Sequence, residues 1–112
     1  MRWGLLAAFL IGCSGSAEWA GKWKRENPPP GSSVEMILTG SGTAIHGSGV
    51  ELLDPAGIER TFTVVGTSEP VPGPGVTFTY ADNTGEGFFF GQPDANHITL
   101  MNQRRSLVFA RQ

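Results

Sequence analysis

One cysteine, one tyrosine and two histidines are all that 112 residues provide of those types, and only 16% of the chain is charged. A single cysteine excludes an intramolecular disulfide. His46 and His97 show no HxH or HxxxH spacing and have no second cysteine beside them, so the usual zinc ligand sets are missing. Each reads as a solvent-facing strand residue. No basic patch with interleaved aromatics occurs, which argues against nucleic acid. The apolar run 4–11 falls far short of the ~20 residues that a membrane-spanning helix needs. In "TGSGTAIHGSG" Ser48 follows Gly47 where a phosphate loop requires lysine, and the GxSxG of a hydrolase elbow is missing. Glu35, Glu51 and Glu59 stand on the opposite parity to most apolar neighbours and read as outward residues, not as a carboxylate pair. The expectation is a protein that is not an enzyme, with no metal and no cofactor.

What is present begins at the N-terminus. Met1-Arg2-Trp3 carries one positive charge, residues 4–11 are apolar, and small residues follow. That is the order of an export signal. Leu10-Ile11-Gly12-Cys13 resembles the bacterial lipobox, in which an invariant cysteine receives a diacylglycerol, the chain is cut before it, and the new amino group is acylated. The resemblance implies a signal peptide over 1–12, lipidation at Cys13 and a tether over 13–20. Ser14, where Asp would mark inner-membrane retention, implies by the same resemblance an outer-membrane lipoprotein facing the periplasm. Several acyl chains together anchor stably where one does not. The alternative is cleavage after Gly15-Ser16-Ala17, which would leave a soluble secreted protein. Cleavage before Cys13 takes 12 of the 112 residues and leaves 100, enough for one domain. Arg2 leaves too, so the formal charge moves from −2 to −3.

From Gly21 onward apolar residues recur at every second position, the period of half-buried strands. In Ile58-Glu59-Arg60-Thr61-Phe62-Thr63-Val64, Phe62 and Val64 face one way while Glu59, Thr61 and Thr63 face the other. The breaks carry turn chemistry, as in Asp54-Pro55-Ala56-Gly57 and Asp82-Asn83-Thr84-Gly85. The spacing predicts eight strands at about 21–26, 33–39, 43–53, 58–66, 76–81, 87–91, 97–101 and 106–111, and no helix outside the signal. Short links make the simplest topology an antiparallel up-and-down meander. Eight such strands close into a barrel, leaving no exposed edge. A small β-sandwich is the alternative.

Gly21-Lys22-Trp23 opens the first strand and Arg111 ends the last. This resembles the lipocalin and calycin signature, in which a Gly-x-Trp packs under an arginine of the final strand. The resemblance implies a domain over 21–112 with Trp23 and Arg111 paired at a barrel floor near the tether. The 28–31, 54–57, 82–85 and 102–105 turns would then ring the opposite mouth. Phe62, Phe78, Tyr80, Phe88, Phe90 and Phe109 are expected inside, lining a ligand site or filling the core, with Phe89 facing out. Two functions follow as expectations. One is a membrane-anchored binding module for a small apolar ligand, or an envelope scaffold. The other is a periplasmic interaction protein or hydrolase inhibitor that presents the Pro-rich 68–75 loop or the Pro28–Gly31 turn.

Overall fold

The computed structural model describes residues 18–53 and 57–112. The expected signal peptide, Cys13 and the turn residues Asp54, Pro55 and Ala56 lie outside the described residues. Eight strands follow one another: β1 (Gly21–Arg25), β2 (Ser33–Ser41), β3 (Ala44–Leu53), β4 (Ile58–Thr67), β5 (Gly75–Tyr80), β6 (Phe88–Phe90), β7 (His97–Met101) and β8 (Ser106–Arg111). Each pairs antiparallel with the next, and β8 returns to β1, so the sheet is a closed barrel in sequence order. Every strand lies within two residues of its expected bounds.

Alternation builds the core. Val34, Met36 and Leu38 of β2, Phe62 and Val64 of β4, Ile98 and Leu100 of β7, and Leu107 and Phe109 of β8 are buried, and the residues between them face outward. Each such side chain contributes roughly 1.5–3 kcal/mol by leaving water. The aromatic rings interlock along the axis: Phe62 meets Phe78 edge-on at 5.6 Å and Tyr80 at 5.5 Å, and Phe78 lies 6.4 Å from Phe109. Such geometry adds about 0.5–1.5 kcal/mol per pair beyond burial.

β2, β3 and β4 are the long strands, and glycines bring them close together. Gly49 sits on the inward face of β3, where a Cβ would lie 2.3 Å from Phe62 Cζ and 2.4 Å from the Glu35 carbonyl oxygen. At Gly47 it would lie 2.4 Å from the Ile37 carbonyl oxygen. The missing side chains let the Phe62 ring occupy the space in front of β3.

Three expectations need correction. Phe89, expected outside, is 2% exposed and packs 5.5 Å from Phe78, while Phe90 is 53% exposed and Phe88 shares its outer face. The β5–β6 register sets this parity by placing Phe89 opposite buried Val76. Glu51, expected outside, has a side chain only 15% exposed and points inward with Gly47 and Gly49. Trp19, expected in the tether, is buried in the core, and its carbonyl accepts the Trp23 Nε1–H bond at 2.9 Å.

Candidate functional site

The floor is built around Trp23, which has no exposed surface. The Arg111 guanidinium carbon lies 4.2 Å from the centre of its ring. Arg111 Nε donates to the Ala95 carbonyl at 3.0 Å, Nη1 to Ala20 at 2.8 Å and Nη2 to Glu18 at 2.6 Å. One cation thus ties the entering chain, the β6–β7 loop and the end of β8. Gly21 is required beneath it: its φ is +140°, and a Cβ there would stand 2.8 Å from Arg111 Nη1. The pair thus fastens the end of β8 to the start of β1.

At the opposite end the inward face turns polar. Arg25, Glu51, Arg60 and Tyr80 come from the ends of four strands, and Glu86 and Arg105 from the neighbouring connections. Arg60 Nη1 lies 3.6 Å from Glu51 Oε1, and its guanidinium carbon is 3.9 Å from the centre of the Tyr80 ring. Arg105 forms an ion pair with Glu86. Burial, then the nearby Arg105 charge, lowers the proton affinity of Arg25. Arg25, Glu51, Tyr80, Glu86 and Arg105 line a cavity of about 30 Å³ together with Phe62, Phe78, Phe89 and Phe109. That is room for one water. Buried Glu51 Oε1, which has no hydrogen-bond partner among the described residues, faces this group of side chains.

Tyr80 gives the mouth a measurable signature. Its hydroxyl is pushed above the usual phenol value by burial, then by the nearby charge of Glu51. A raised folded value means that the neutral phenol is favoured in the barrel. The stability it confers is therefore complete below about pH 10, the unfolded value, and is lost as pH rises through the folded one. As the chain's sole tyrosine, Tyr80 can be followed by ultraviolet absorbance of the phenolate. The native midpoint is expected above that of the urea-unfolded chain, and Glu51→Gln is expected to bring the two closer.

The larger concavity is on the outside. The outer faces of β2 to β5 enclose a groove of about 890 Å³, open to solvent. Ile37, Val50 and Leu52 supply exposed apolar surface along it, Ser48, Thr61, Thr63 and Thr79 supply hydroxyls, and Glu35 and Glu59 supply charge.

Of the residues expected inside, Phe62, Phe78 and Phe109 converge on the axis, Tyr80 stands half-buried at the mouth, and Phe88 and Phe90 lie on the outer wall. His97 is half-buried on the outside with Nε2 3.0 Å from Glu26 Oε2, and His46 is exposed. No group of three or more His, Cys, Asp or Glu side chains suited to a metal ion occurs among the described residues. Sequence reasoning missed Arg25, Glu51 and Arg60 as mouth residues. Arg25 and Arg60 were legible in principle, since each stands two residues from an inward aromatic, Trp23 or Phe62. Compared with protein-family models, curated proteins and solved structures, the chain matches none of them.

Proposed function

We propose that this protein is an exported lipoprotein, acylated at Cys13 and anchored in the outer membrane facing the periplasm. Its barrel is a non-enzymatic envelope scaffold that binds partners on its outer wall and carries no small apolar molecule inside. The observation that carries this reading is the contrast between the two concavities. The interior cavity of about 30 Å³ is a tenth of the ~300 Å³ at which ligand pockets begin, whereas the outer groove measures about 890 Å³. Interlocked Phe62, Phe78, Phe89 and Phe109 already occupy the axis. The charged ring above them makes the entrance costly for an apolar molecule to cross.

Titration with an apolar fluorescent probe tests this, with wild type and Phe78→Trp compared and the unfolding midpoint of each recorded. No saturable one-site binding is expected in either protein. Saturable binding in wild type that the bulkier ring abolishes would restore the ligand-carrier reading. For the inhibitor reading, the 68–75 loop lies at the end where the chain enters the barrel, which leaves the 28–31 turn at the opposite end as the segment such a protein would present.

A further inference from the structure

We propose that the Pro-rich 68–75 loop and the aromatic strip beside it form a facet that rests in the interfacial layer of the bilayer. This rests on acylation of Cys13. Four residues separate Cys13 from Glu18, the first described residue. Five steps of extended chain reach at most ~18 Å, so the end of the barrel holding Trp19 and Arg111 stays close to the lipid.

The same end carries the loop. Gly21 is paired with Leu38, yet β2 continues to Ser41 and turns back at Ala44. Three more residues advance the hairpin by about 10 Å along the strand. Ser68 N–H donates to the Thr43 carbonyl at 2.9 Å, so the loop leaves the barrel beside this hairpin. A tether of this length keeps the loop, like the floor, within reach of the bilayer.

The chemistry of the loop fits a lipid surface. Val71 is 80% exposed between Pro70 and Pro72. Pro70, Pro72 and Pro74 have no N–H, so three backbone donors that headgroup burial would strip of water are missing. A Cβ at Gly73 would touch the Phe90 ring at 3.5 Å, which makes Phe90 continuous with the loop. Phe88 lies 4.8 Å from Phe90 on the same outer face. Glu69 is the sole charge in 68–75, and its backbone N–H and carboxylate are both held by Thr67 Oγ1. An almost uncharged, apolar, donor-poor surface suits the headgroup–acyl boundary and needs no anionic lipid.

The test uses the full chain, produced with its leader, purified in detergent and reconstituted in phosphatidylcholine vesicles. Intact mass reports acylation of Cys13 on its own. With that sulfur in a thioether, Val71→Cys supplies a single free thiol for an environment-sensitive dye, and Arg104→Cys places the same dye at the far end. Brominated phosphatidylcholine is expected to cut the Val71 dye's emission at least about twofold, as for a group ~5–10 Å into the boundary, and to leave the Arg104 dye unchanged. Adding Phe90→Ser should weaken the quenching while Cys13 stays acylated. An unmodified Cys13 would overturn the lipidation reading and this proposal with it. An acylated Cys13 with both dyes unquenched, or with the Val71 dye responding only to an added envelope protein, would overturn the facet alone.

Discussion

Arg111→Ala is expected to destabilise the barrel by about 3 kcal/mol, read as a lower urea midpoint at unchanged slope. The variant loses the contact over Trp23 and three hydrogen bonds to the carbonyls of Ala95, Ala20 and Glu18. The stacked cation accounts for roughly 1 kcal/mol, and the bonds share the rest because their outer members face solvent. For a domain of this size each kcal/mol lowers the melting temperature by about 4–8 °C. Arg111→Lys should recover only a minor part, since an ammonium cannot lie flat on the indole while reaching three carbonyls in a fixed fork. Full recovery by lysine would mean that charge alone holds the floor.

An effect of similar size is expected from the smallest possible insertion, Gly49→Ala. One methyl group would have to fit 2.3 Å from Phe62 Cζ and 2.4 Å from the Glu35 carbonyl oxygen. The ring is locked between Phe78 and Tyr80, and the carbonyl belongs to the β2 backbone, so neither can yield cheaply. A cost of about 3 kcal/mol follows, at the upper end of overpacking. Ser48→Ala, one residue away on the outer face, should stay within about 0.5 kcal/mol of wild type. Equal behaviour of the two variants would show that β3 can shift away from its neighbours.

The strands were legible because alternation and turn chemistry agree along most of the chain. Val34-Glu35-Met36-Ile37-Leu38 and Phe62-Thr63-Val64 each present one face that has to be buried. Where the pattern is degenerate, parity could not be read. Phe88-Phe89-Phe90 offers three equivalent rings, and only pairing with Gly75, Val76 and Thr77 decides that the middle one enters. Across Gly47-Ser48-Gly49-Val50-Glu51 the inward positions are glycine, glycine and glutamate, so the hydrophobic signal falls on the outer face and inverts the reading of Glu51. Trp19 escaped notice because a single tryptophan before the first strand carries no period. The polar mouth went unseen for a related reason: alternation identifies what must leave water, and at a barrel rim the inward residues do not have to.

The β1–β8 seam also sets a timetable for the fold. The bond from Arg111 Nη1 to the Ala20 carbonyl joins residues 91 positions apart. Bringing the ends of such a loop together costs about 4 kcal/mol of chain entropy beyond a constant, roughly twice the cost of the longest hairpin connection. The hairpins between consecutive strands are local and form early, while the ring closes late. Until it does, β1 and β8 present two bare edges able to pair with any other extended chain. The chief hazard to this protein is thus one of time: the interval between the last hairpin and the closing of the ring decides how much chain reaches the barrel and how much aggregates.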